Sequence, residues 1–285
     1  MTTESRPPGK RPRPDTLTQA DTLLERHRAL LKERFPIPDA RQLQRPPPRR
    51  PARTVLPLVV LFAVAAALYA DPVLHSRQHR SAVAQRMQAT LPDGSRVLLD
   101  ADTRLQVQWR LRTRQVVLMR GRARFDVVHS RWRRFQVDAG PLQVRNYGTV
   151  FDVDREGARS SVTLWKGDVG VRVGDGRAEQ RLRPGQRLRV DPGLAPTAGP
   201  VAAEEARWSE GRLQFEHTPL DEVVRALQRY HRQPILLDDP ALSQLQVSGV
   251  FDGARAATAL ALLPDILPVQ VHAATDGTVH IRARE

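Results

Sequence analysis

The apolar and polar positions of this chain change pattern four times. Residues 54–70, TVLPLVVLFAVAAALYA, carry no charge, with Thr54, Pro57 and Tyr69 interrupting the apolar run. A helix of that length rises about 26 Å, at the short end for a hydrocarbon core of about 30 Å. Pro57 falls in its first turn, where a missing N–H is tolerated. Tyr69 falls at the far end, where an amphipathic ring suits the headgroup layer. A buried core helix is the rival, but both flanks are charged and Pro-bearing, with no amphipathic neighbours to cover it. Ahead of this run, residues 16–35 place Leu17, Leu23, Leu24, Leu30 and Leu31 near helical spacing, with Asp15 or Thr16 as a cap. The stripe is narrow and suits docking on a partner better than packing a domain. Residues 1–15 have the composition of a disordered segment, and residues 36–53, with PPPRRP, that of an extended tether.

Beyond the apolar run, residues 75–90 are mixed and are expected as a helical stalk. From Leu91 the period becomes two, through LQVQW, VVLM, ARFDVV, FQVD, VFDVD, VTLW, VGVRV and RLRV. Turn residues separate these runs, among them the hairpin candidates Asp93-Gly94 and Asp175-Gly176. The expectation is a β-rich unit, solenoid or sandwich-like. Residues 191–207 are expected as a linker. From Trp208 the order is β-α-β, then β-α-β-β. Leu220, Val223, Val224 and Leu227 lie on one helix face behind Pro219, and a second helix ends at Pro264. The chain thus divides into a tail (1–53), an apolar helix (54–70), a stalk (71–90), a β-rich unit (91–190), a linker (191–207) and a small α+β unit (208–285).

Charge orients the apolar helix. Arg41, Arg45, Arg49, Arg50 and Arg53 precede it closely, and only Arg77 and Arg80 follow. The positive-inside bias places the N-terminus in the cytoplasm and everything from Asp71 outside it. A cleaved signal peptide would need a 53-residue n-region and would put Leu68 where a small residue is wanted. The formal net charge of +14 resembles a nucleic-acid signature. However, the tail carries much of it, which suits anionic lipid, and the remaining Arg alternate with apolar residues along strands. Direct nucleic-acid binding is therefore not expected. With no Cys there is neither a disulfide framework nor a Cys-ligated zinc.

From about Leu91 onward the sequence resembles the FecR family of inner-membrane sensors. LPDGSRVLLDADT (91–103), RQVVLMRGRARFDV (114–127), RRFQVDAG and VRNYGTVFDV (144–153) stand in the family's order. WKGDVGV, LRPGQ, WSEGRLQFEHTPLDEVVRALQRY (208–230) and VFDG follow. Arg122, Arg124 and Arg134 replace the family's usual residues, and the tail lacks its Trp-Leu landmarks. The resemblance implies a single-pass inner-membrane protein with a cytoplasmic N-terminus and a periplasmic C-terminus. It implies anti-sigma regulation: a signal from the signalling domain of a TonB-dependent outer-membrane receptor is relayed to an extracytoplasmic-function sigma factor, in iron or siderophore uptake. It also implies a C-terminal domain similar to the N-terminal domain of secretins and TonB-dependent receptors. A membrane-anchored envelope scaffold is the alternative.

The chemistry expected is sparse. G-x-S-x-G, a Walker loop, a dinucleotide fingerprint and HExxH are all missing, so neither an enzyme nor a cofactor is expected. His75 and His79 would share a helix face but lack carboxylate support, and no metal is expected. Phe125, Phe135, Phe151 and Trp165 are expected in the core. Leu23, Leu24, Leu30 and Leu31 are the candidate sigma-binding face, as a helix in a groove. Gly148-Thr149 is a candidate self-cleavage step, because a hydroxyl follows a glycine carbonyl and the family resemblance places a cut there. Tyr147 and Phe151 would clamp the bend. A tight strand bend is the competing reading.

Overall fold

The computed structural model describes residues 14–36, 55–130, 132–146, 148–176, 178–201 and 203–284. Most of the expected disordered segment, the tether and Tyr147 lie outside these residues. The chain forms two compact units, Met1–Phe62 and Ala63–Glu285. In the first, helix α1 (Pro14–Arg34) occupies the segment marked by the leucine spacing. Helix α2 (Val55–Ala70) has 16 residues and a rise of about 24 Å. Among the described residues no helix is long and apolar enough to cross a membrane.

The second unit takes in the last turns of α2, from Ala63, and then a 13-stranded sheet. Its hub is strand β5 (Thr113–Asp126). The first half of β5 pairs with β4 (Arg104–Arg110) and, in parallel, with β6 (Arg134–Ala139); the second half pairs with β3 (Arg96–Leu99) and β8 (Val150–Glu156). The change of partners has a local cause. Arg104 opposes Arg120 while Leu105 opposes Leu118, so Met119 is an extra, bulged residue. The buried positions accordingly shift from Arg114, Val116 and Leu118 to Gly121, Ala123 and Phe125, which keeps the apolar set inward as the strand bends. Gly121 makes the bend possible. It has φ +91°, and a Cβ there would stand 2.6 Å from the Thr103 Cα.

The bent sheet closes over one core. Phe125 stacks on Phe151 at 5.2 Å between centroids and meets Phe135 edge-on at 5.9 Å. All three are fully buried, as expected. Trp165 is not; it lies half-buried at the surface, with Arg124 5.4 Å from its ring. Both hairpin candidates are turns. Asp93-Gly94 joins β2 (Met87–Thr90) to β3, and Asp175-Gly176 joins β10 (Val169–Val173) to β11 (Glu179–Leu182). The helical stalk is corrected. Residues 73–80 are β1 (Val73–Arg80), paired with β4, so His75 and His79 lie on a strand of the β unit. The linker also holds more structure than expected. Thr197–Pro200 is β13, paired with β12 (Gln186–Val190), and Ala203–Glu210 is a 3-10 helix. Between β6 and β13 the remaining strands are β7 (Leu142–Asn146) and β9 (Arg159–Lys166).

The C-terminal part follows the order expected from its pattern. Strand β14 (Arg212–Pro219) leads into α3 (Leu220–Gln228), whose buried face is Leu220, Val223, Val224 and Leu227. Then come β15 (Ile235–Leu237), β16 (Gln246–Asp252), α4 (Ala256–Ile266), β17 (Val269–Ala273) and β18 (Val279–Ala283). β14 pairs with β16, and β18 lies between β15 and β17. Helix α4 continues through Pro264 to Ile266 rather than ending there. The Pro264 carbonyl is taken up by the Arg284 guanidinium at 2.9 Å. The core of this part also includes Ala101, which belongs to the β unit.

Candidate functional site

Where the β unit meets the C-terminal part, charge is buried. Asp100 follows β3 and is inaccessible to solvent. Its carboxylate accepts from Arg122 Nε and Nη2 at 2.9 and 2.6 Å, and from the Tyr230 hydroxyl; Arg229 stands 3.8 Å away. Burial alone would push the Asp100 carboxyl up, but Arg122, Arg229 and the Tyr230 hydroxyl hold it below the ordinary carboxylate value. Burial and the Asp100 charge push the Tyr230 hydroxyl up, so it stays protonated and donates.

Trp208 completes the contact. Its ring is buried, with Arg122 at 4.5 Å and Arg124 at 5.3 Å from the centroid, and its Nε1 donates to Asp152 at 2.9 Å. Arg124 grips Asp152 with two bonds of 2.7 and 2.9 Å and reaches Ser209 Oγ at 2.7 Å. Three further pairs cross the same boundary, Arg229 to Asp154 at 2.6 Å, Arg189 to Glu222 at 2.8 Å and Arg225 to Glu156 at 3.9 Å. Beside them opens a cleft of about 420 Å³ between β8, β9 and β14. Each guanidinium in this knot answers a carboxylate, so the arrangement serves to couple two parts of one body. Asp100 and Tyr230 carry no local sequence signal of this role, because their partners are 22 and 130 residues away along the chain.

The Gly148-Thr149 step lies just ahead of β8. Gly148 has φ +121°, and a Cβ on it would stand 2.9 Å from the His129 Cβ. Its N–H donates to Asn146 Oδ1. The Thr149 carbonyl accepts from the Val127 N–H at 3.1 Å. Gly167 backs the step so closely that a Cβ there would meet the Thr149 Cγ2 at 2.4 Å and the Gly148 oxygen at 3.0 Å. Thr149 is buried, and its Oγ1 has no hydrogen-bond partner among the described residues. A buried hydroxyl without a partner is costly. Here that hydroxyl directly follows a glycine carbonyl at a positive-φ bend. Phe151 lies in the core rather than against the bend alone.

Comparison with known proteins bears on the β unit. Residues 77–170 match the family model described as FecR protein. That stretch is a FecR domain. Two crystal structures of a "putative anti-sigma factor" from Parabacteroides distasonis ATCC 8503 share the fold. One aligns with a TM-score of 0.65 at 22% identity, covering 74% of this chain and 100% of the other. The second gives 0.64 and 22%, covering 72% and 98%. No curated protein matches the chain.

The FecR domain starts inside β1, ahead of the Leu91 boundary, because β1 completes the sheet edge beside β4. It contains Asp100, Arg122, Asp152 and the Gly148-Thr149 step, while Trp208 and Tyr230 reach it from outside. Outside it too lie the four leucines of α1. Leu23, Leu24, Leu30 and Leu31 are each more than half exposed. Among the described residues no group of His, Asp and Glu has the makings of a metal site.

Proposed function

We propose that this chain is a single-pass inner-membrane regulator, in which the FecR domain and C-terminal part sense a periplasmic signal and α1 controls a sigma factor. The order of parts carries the reading: an exposed leucine stripe, then an uncharged apolar helix, then a FecR domain. The fold shared with the Parabacteroides protein supports an anti-sigma role. Helix α2 is short for a span, and bilayers accommodate short spans by thinning or by snorkelling flanks. The upstream partner on this reading is the signalling domain of a TonB-dependent receptor, in iron or siderophore uptake. β14, β15, β16 and β17 each pair with one neighbour, so the C-terminal part offers open strand edges for strand addition. Its likeness to the secretin and TonB-receptor N-terminal domain belongs to the same reading.

Topology is the direct test. A reporter active only in the cytoplasm, fused after residue 90, should be silent, and activity there would reverse the proposed orientation.

The Gly148-Thr149 step is the second element. Thr149 Oγ1 would attack the Gly148 carbonyl carbon, the C–N bond would break as the amine takes the hydroxyl proton, and water would cleave the resulting ester. Purified protein should then run as two pieces on a denaturing gel, with intact mass marking the cut. Thr149→Ser should still cut and Thr149→Ala should stay whole. Equal cutting in Thr149→Ala would reduce the step to a bend.

A further inference from the structure

The C-terminal end of α2 is clasped by the start of β5. The Arg112 N–H donates to Asp71 Oδ1 at 2.6 Å, and Thr113 Oγ1 donates to Asp71 Oδ2 at 2.6 Å. Arg112 Nη1 also reaches the Leu68 carbonyl at 3.3 Å, and Arg110 Nη1 the Asp71 carbonyl at 3.4 Å. Cations at the last carbonyls suit the helix dipole.

The same end of the sheet carries an aromatic and basic loop. β6 begins beside β5 in the register Thr113 to Arg134, a strand spacing of about 4.8 Å. The buried Arg114 donates from Nη2 to the Arg133 carbonyl at 3.0 Å. Trp132 stands two residues ahead of Arg134, at most about 7 Å of extended chain. It is 91% exposed, and Arg133 and Arg134 are exposed beside it. Val73 and Leu74, which follow the helix directly, are also exposed. The nearby carboxylates are already engaged: Asp71 as above, Asp93 by Arg114 and Asp126 by Arg96. With those three carboxylates paired, the described residues of the rim are apolar, aromatic and cationic.

We propose that this rim (Trp132, Arg133, Arg134 and Arg112, with Val73 and Leu74) rests on the anionic headgroup layer of the leaflet from which α2 emerges. It rests on the reading of α2 as the membrane anchor. A fully exposed indole flanked by guanidiniums is the composition of a headgroup contact. Continuity with the end of α2 and complementarity of charge select lipid over a protein partner. The lipid surface would then fix the pose of the FecR domain, so that a pull on the C-terminal part is resisted at the membrane.

The test uses the full chain in nanodiscs of brominated phosphatidylcholine, with or without phosphatidylglycerol. Of the four tryptophans, Trp109 and Trp208 are buried and Trp165 is half-buried. The emission lost in Trp132→Phe therefore isolates Trp132. That difference signal should be quenched by the brominated lipid, more so with phosphatidylglycerol present. Arg133→Gln with Arg134→Gln should reduce the quenching at least about twofold. An unquenched Trp132 signal would overturn the proposal. An alkaline carbonate wash reads the anchor separately. Retention of the chain with unquenched Trp132 defeats the rim alone, whereas release of the chain defeats the anchor and the rim together.

Discussion

Asp100→Ala is expected to lower stability by about 3–5 kcal/mol, because it strands the largely buried Arg122 without its carboxylate and leaves Tyr230 without its acceptor. For a unit of this size that is a fall in Tm of roughly 10 °C. The loss should concentrate at the boundary between the FecR domain and the C-terminal part, so hydrogen exchange in α3 should rise with it. The effect has a defined pH dependence. The folded-state carboxyl of Asp100 lies below its unfolded value of about 3.9. Its contribution is therefore present above that value and is lost as pH falls through the lower, folded one. Wild type and Asp100→Ala should differ most near neutrality and converge below about pH 4. A variant within about 1 kcal/mol of wild type at neutral pH would mean that the knot does not hold the two parts together.

The β-rich unit and the α+β part were legible because their apolar periodicities are local and regular. The face of α3 and the fates of Phe125, Phe135 and Phe151 follow directly from period 3.6 and period 2. The stalk was missed because β1 is an edge strand with nearly every side chain exposed, so it carries no alternation; pairing with β4 alone makes it a strand. Trp165 was misplaced because it alternates with the buried Val162 and Leu164 and so lies on the opposite face of β9, where Arg124 covers it. The Asp100, Arg122 and Tyr230 contact could not be read at all. Each residue looks locally like a solvated strand or helix position, and only the docking of two parts far apart in sequence brings them together. Gly148-Thr149 was legible as a dipeptide. The orphaned Thr149 hydroxyl and the close backing by Gly167 are tertiary facts.

On the proposed reading, α1 is the helix that binds the sigma factor. Leu23, Leu24, Leu30 and Leu31 recur on one face, and all four remain exposed. Burying two leucines in a partner groove is worth about 3–6 kcal/mol, so replacing both with Asp should weaken binding by at least about 100-fold. The measurement is capture of the extracytoplasmic-function sigma factor by the full chain, compared with Leu23→Asp/Leu30→Asp. Glu25→Gln, on the opposite face, serves as the control. Wild type and Glu25→Gln should retain the sigma factor, and the double variant should lose it. No sigma factor on the wild-type chain, or equal capture by the double variant, would contradict a sigma-binding role for α1.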